Sequence, residues 1–170
     1  MHNTRMSQWC DELHAVFLQL NGYMNRPDLD AAFLALADVK LDRALYPLLL
    51  RIGYAEPIGV VDLAGLVGRD HSTVSRQVAK LEALGLVERH VAADDQRIRL
   101  LKPSAAGRKM LTTFSDVRRR FLDEQLGDWT IEDRKLMLDL LQRFCAKIGE
   151  VSMIWTAAAA GKPAVPAVKG

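Results

Sequence analysis

Between positions 71 and 78 the chain reads His71-Ser72-Thr73-Val74-Ser75-Arg76-Gln77-Val78. At helical spacing Val74, Val78 and Leu81 share one face, which packs inward. Ser72, Thr73, Ser75, Arg76 and Gln77 then face the other way. They supply short hydroxyls, a guanidinium and an amide at the start of an exposed helix. Such groups hydrogen-bond into the major groove of double-stranded DNA: hydroxyls and Gln reach base edges or phosphates, and Arg pairs bidentately with guanine. The bland alternative is a solvated helix face with ordinary Ser and Thr, and the neighbouring elements argue against it.

Those neighbours form a compact series. Val61 to Val67 reads as a small helix ended by Gly68, and Asp70 is an N-cap for a helix running to about Leu84. Gly85 follows as a C′ residue with positive φ. Leu86 to Ala92 and Arg97 to Leu101 read as two strands joined by a turn at Ala93-Asp94-Asp95-Gln96. Two helices with a tight turn and then a hairpin make a winged helix-turn-helix.

The residue string narrows this further. It runs Val61-Asp62-Leu63-Ala64, then Val67-Gly68-Arg69-Asp70 into the helix above, then Leu81-Glu82, Leu84-Gly85-Leu86-Val87-Glu88-Arg89, Asp95-x-Arg97 and Ser104-x-x-Gly107-Arg108. Over roughly Leu41 to Leu126 the chain resembles the MarR family of multiple antibiotic resistance regulators. The resemblance implies a homodimeric DNA-binding transcriptional regulator, most often a repressor, on a pseudo-palindromic operator. It implies that Arg97 enters the minor groove from the wing while Asp95 braces the wing; Arg99 lies further along the same strand. It also implies a small aromatic or phenolic effector held between the dimerisation helices and the DNA-binding lobe. Candidates for that pocket are Trp9, His14, Phe17, Tyr46 and Arg51, each of which also reads as plain core or surface. One departure stands out: where the family has Leu-Thr, this chain has Pro103-Ser104. Ser104 keeps the capping chemistry for a helix starting near Ala105, but Pro103 has no N–H to give a strand partner, which predicts a shortened or re-aimed wing end.

The flanks must then supply the dimer. Trp9, Leu13, Val16, Phe17, Leu20 and Met24 recur at helical spacing, Pro27 opens a helix over Leu29 to Ala37, and Asp42 to Ile52 is a helix that Pro47 kinks or starts late. Leu111, Phe114, Val117, Phe121 and Leu122 stripe a long helix after the wing. Gly127-Asp128 breaks it, and Thr130 caps a last helix carrying Leu136, Leu140, Phe144, Ile148, Val151 and Trp155. The expected fold is therefore mainly α with a small β-hairpin wing. Residues 1–40 are N-terminal dimerisation helices, 41–104 the winged helix-turn-helix lobe, 105–156 C-terminal dimerisation helices and 157–170 a disordered tail.

Bulk charge hides this organisation. The chain carries a net +2, but Arg69 to Arg120 holds 12 basic and 6 acidic residues, a local +6, against −4 in the remainder. Arg118-Arg119-Arg120 within that stretch reads as a solvated helix face. Cys10 and Cys145 lie far apart in no metal-like spacing and read as free thiols in a reducing cytosol. Asp11 and Glu12 beside Cys10 blunt its reactivity as an oxidant sensor. No signal-peptide stretch, phosphate loop, metal-ligand spacing or nucleophile–base pair is present, so the expectation is a cytoplasmic protein that is not an enzyme and needs no cofactor. A protein-docking winged helix without DNA is the competing class. Hydroxyls and Arg crowd the helix start where such a surface would want apolar anchors.

Overall fold

The computed structural model describes residues 2–91 and 98–159. The chain divides into two units, Met1–Arg120 and Phe121–Gly170. In the first unit come α1 (His2–Met24), α2 (Pro27–Leu36), α3 (Tyr46–Ala55), β1 (Ile58–Gly59), α4 (Val60–Val67), α5 (His71–Ala83), β2 (Val87–Val91) and β3 (Arg99–Pro103). Helix α6 (Ala105–Gln125) runs across the division, and α7 (Ile131–Ala159) lies in the second unit. No helix among the described residues is long and apolar enough to cross a membrane.

Proline sets two helix starts. Pro27 stands in the first turn of α2, where a missing N–H costs nothing. Pro47 does the same for α3, so that helix begins at Tyr46 rather than at the expected Asp42, and it runs on to Ala55. The residues before it form a turn instead, with the Ala44 N–H donating to Asp42 Oδ1 at 2.8 Å and the Leu45 N–H to Asp42 O at 2.8 Å. Gly68 closes α4 in the left-handed conformation, φ 61°, and Gly85 takes φ 69° after α5.

The sheet is three-stranded and antiparallel, in the order β1-β3-β2. Strand β1 is two residues long, and no alternating pattern announces it in the sequence. Its Ile58 lies opposite Leu101 of β3. On the other side, β2 and β3 pair from Val87↔Pro103 to Val91↔Arg99. The expected shortening at Pro103 does not occur. The Ser104 N–H donates to Leu86 O at 3.0 Å, which makes Val87–Pro103 a non-hydrogen-bonded pair. The proline nitrogen therefore faces away from β2, and β1 has already ended opposite Leu101.

The buried core of the first unit gathers Leu48, Leu49 and Ile52 of α3, Leu63 of α4, Val74, Val78 and Leu81 of α5, Leu101 of β3, and Phe114 and Val117 of α6. Leu49, Ile52, Leu63, Val74, Val78, Leu81, Leu101 and Phe114 have no exposed surface. Phe114 sits in an aromatic cluster with Phe33 and Tyr46, its ring edge-on to Tyr46 at 4.8 Å between centroids. No described residue of α1 belongs to this core. Within the second unit, Thr130 caps α7: its Oγ1 accepts from the Asp133 N–H at 3.1 Å and donates to Asp133 Oδ2. The Arg134 guanidinium also donates to Leu126 O.

Candidate nucleic-acid interface

Helix α5 presents the predicted residues because its inner face is fully committed to the core. Val74, Val78 and Leu81 are buried, which leaves Ser72 and Arg76 exposed and Thr73, Ser75 and Gln77 half-buried at the edges. The helix start is well determined. Asp70 Oδ1 accepts from the Thr73 N–H at 2.8 Å and from Ser72 Oγ at 2.7 Å. These hydrogen bonds, that from Ser72 first, favour the ionised form and hold the Asp70 carboxyl well below its ordinary range. Further along, Arg76 Nη2 approaches Thr73 Oγ1 at 3.4 Å, laying the guanidinium along the outer face.

Gln77 is used differently. Its Nε2 donates to Ala44 O at 3.4 Å, and its Oε1 accepts from Arg69 Nη1 at 3.4 Å. Arg69 itself is exposed, in the turn between α4 and α5, and its backbone N–H donates to Ala64 O. Spacing alone did not single out Arg69, because the contact that involves it runs through Gln77 to a residue of the turn before α3.

The wing is held to α5 by an ion pair. Arg89 of β2 donates from Nε and one terminal nitrogen to both carboxylate oxygens of Glu82 on α5, at 2.7 and 3.0 Å. Both residues stand in the sequence string quoted above, yet nothing there marks them as partners. Arg99 is exposed at the start of β3. Arg97 and Asp95 lie outside the described residues.

At the opposite end of the hairpin, Ser104 joins three pieces. Its Oγ donates to Gly85 O at 2.5 Å and accepts from the Gly107 N–H at 3.0 Å. Next to this junction, Arg108 of α6 grips Glu56 bidentately at 2.5 and 2.8 Å. The hydrogen bond from Arg108 pulls the Glu56 carboxyl below its ordinary value.

Glu56 and Asp70 therefore act alike on acid stability. A carboxyl whose folded-state pKa is depressed contributes stability that is complete above its unfolded value and is lost as the pH falls through its folded value. Those ordinary values are 4.5 for Glu56 and 3.8 for Asp70. We expect the melting temperature to hold down to about pH 5 and then fall. Glu56→Gln is expected to melt lower at neutral pH and to lose less on acidification. Melts followed by circular dichroism across that range test this, and an equal acid loss in the variant refutes the role of Glu56.

The five effector candidates do not share one described environment. Tyr46 is half-buried against Phe33 and Phe114, and burial pushes its phenol pKa up. Phe17 is half-buried, whereas Trp9, His14 and Arg51 are exposed. A recess of about 240 Å³ lies between α3 and α6, lined by residues that include Leu50, Tyr54, Thr112, Ser115 and Arg118. None of the five lines it. The Arg118 guanidinium lies 5.9 Å over the Tyr54 ring, so this arginine is not simply solvated, unlike the expectation for the Arg118–Arg120 run. Arg119 reaches Asp116 at 3.6 Å and stays exposed. Cys10 and Cys145 are both free and exposed.

Comparison with known proteins places this geometry. Residues 41–98 match the MarR family. An uncharacterised HTH-type transcriptional regulator of Bacillus subtilis, YxaD, is 32% identical over 103 residues, covering 61% of this chain and 72% of its own. A second from the same organism, YdgJ, is 28% identical over 146 residues, with coverages of 86% and 87%. Among solved structures, MarR superposes with a TM-score of 0.64 at 23% identity, over 85% of this chain and 94% of that one, a likeness of fold. The transcriptional regulator BldR from Sulfolobus solfataricus gives 0.60 at 25% identity, over 81% and 96%.

Proposed function

The chain belongs to the MarR family of DNA-binding transcriptional regulators, and from that premise we propose that it acts as a homodimeric repressor on a pseudo-palindromic operator and is released by a small-molecule effector. The observation that carries this reading is the outer face of α5. An exposed Arg76 and Ser72, flanked by Thr73, Ser75 and Gln77, stand on a helix whose other face is locked into the core and whose start is capped by Asp70. Ser72, Thr73, Ser75 and Arg76 meet the major groove, Arg97 the minor groove, and Arg99 the flanking backbone.

The dimer is supported by apolar surface that the single chain leaves open. Trp9, Val16 and Leu20 of α1 are 46–57% exposed, and Leu136, Leu140 and Ile148 of α7 are 50–57% exposed. Exposed apolar stripes of this length mark an interaction surface. Two copies would match the two-fold symmetry of a palindrome, with half-sites about one helical turn apart. An aromatic or phenolic effector would alter the spacing of the two reading helices and so weaken the fit to both half-sites.

In vitro selection of bound duplexes from a random library tests the core of this reading. A palindromic consensus is the expected result; no enrichment, or a consensus without symmetry, overturns it. Sedimentation equilibrium giving a particle of 19.0 kDa at micromolar concentration overturns the dimer.

A further inference from the structure

Arg69 is the feature of this lobe that groove reading by α5 leaves without a role. It is exposed at the last position before the N-cap, where the chain turns from α4 into α5. Its guanidinium approaches a neutral oxygen, Gln77 Oε1, and among the described residues no carboxylate lies within ion-pair distance of it. The basic side chains at Arg89 and Arg108, by contrast, are spent on Glu82 and Glu56. An arginine that uses one of its five N–H donors on an amide keeps the remainder and its full charge for an outside anion.

Gln77 is placed to aim that charge. Both ends of its amide are engaged within the chain: the nitrogen on the Ala44 carbonyl, which the turn before α3 holds, and the oxygen on Arg69. Ala44 is 33 residues from Gln77, so the amide is anchored to a separate piece of the lobe rather than to its own helix. With one N–H and one oxygen lone pair committed within the chain, this glutamine is held between Ala44 and Arg69. Beside Arg69, the Asp70 carboxylate is turned to the helix start, where it accepts from Ser72 Oγ and the Thr73 N–H.

We propose that Arg69 contacts a DNA phosphate beside the start of α5 and that Gln77 is its positioning residue, acting through Arg69 rather than on a base. This rests on DNA binding by the lobe, and it replaces the base-reading role for Gln77 given above. The contact contributes affinity on any sequence and no sequence preference.

The test uses the full chain with two duplexes: the one enriched by selection and a random-sequence duplex of equal length. The salt dependence of the binding constant is measured for each. Arg69→Ala is expected to reduce the log–log salt slope by about 0.9 per bound protomer, on both duplexes alike. Arg69→Lys, which keeps the charge, is expected to restore most of it. Gln77→Leu is expected to give part of the Arg69→Ala loss and to add nothing on the Arg69→Ala background. Gln77→Asn, one methylene too short to span Ala44 and Arg69, makes the same test if the leucine variant melts early. An unchanged slope in Arg69→Ala overturns the phosphate contact. A Gln77→Leu loss confined to the selected duplex, or additive with Arg69→Ala, overturns the positioning role. A wild-type chain that binds neither duplex overturns DNA binding itself, and that outcome is distinct from both.

Discussion

Gly107→Ala is expected to cost about 3 kcal/mol of stability or more, because among the described glycines its added Cβ would make the shortest approach to other atoms. A Cβ at Gly107 would lie 2.0 Å from the Leu86 carbonyl oxygen, 3.0 Å from its carbon and 3.4 Å from Pro103 Cβ. The closest obstacle is backbone, and it is not free to retreat. Leu86 O accepts the Ser104 N–H, and the preceding carbonyl, Gly85 O, accepts Ser104 Oγ. Making room therefore breaks the join between the end of α5, the wing and α6. Urea unfolding is the measurement: a lower midpoint at unchanged slope is expected. Gly65→Ala is the matched control, since its Cβ would meet nothing within 4 Å and the site is interior to α4. There, helix propensity favours alanine by up to about 1 kcal/mol. If the two substitutions shift the midpoint equally, the close approach at Gly107 is not what limits the lobe.

Arg76→Ala is expected to flatten base preference at one position of each half-site while leaving the fold intact. Its side chain is exposed and among the described residues makes the one hydrogen-bonding approach to Thr73 Oγ1, at 3.4 Å, so removal leaves no described buried group unpaired. A bidentate arginine–guanine pair is worth about 1–3 kcal/mol of discrimination, roughly tenfold to a hundredfold in relative affinity. Gel shifts against the selected duplex, with each of the four base pairs at the affected step, read this directly. Arg97→Ala is expected to behave differently, weakening binding to every duplex in the set. Preference unchanged in Arg76→Ala refutes the major-groove assignment of that residue.

Local rules carried much of this architecture. An Asp ahead of a helix reads as a cap because the chemistry is contained within four residues, and Asp70 to Thr73 is such a case. Gly68, Gly85 and Ser104 are legible for the same reason. What escapes a reading of spacing is any pairing set by tertiary approach. Strand β1 is too short to show a pattern and exists because Leu101 offers it an edge. Pro103 looks like a strand breaker until the register puts its nitrogen on the side with no partner. Tyr46 meets Phe33 and Phe114, 13 and 68 positions away, and Arg118 meets Tyr54. At the candidate site, the outward face of α5 followed from helical period, whereas the inward turn of Gln77 required knowing where Ala44 lies.

The double use of the Ser104 hydroxyl has a mechanical consequence. One oxygen ties the exit of α5 to the first turn of α6, beside the last residue of β3, while Glu82 and Arg89 clamp the other strand to α5. Reading helix, wing and the root of α6 are thus welded at two points. None of them can slide along the DNA by itself. A push on the root of α6 is expected to swing the whole head as one solid piece, so that any control exerted through this helix works by leverage and leaves the outer face of α5 unaltered.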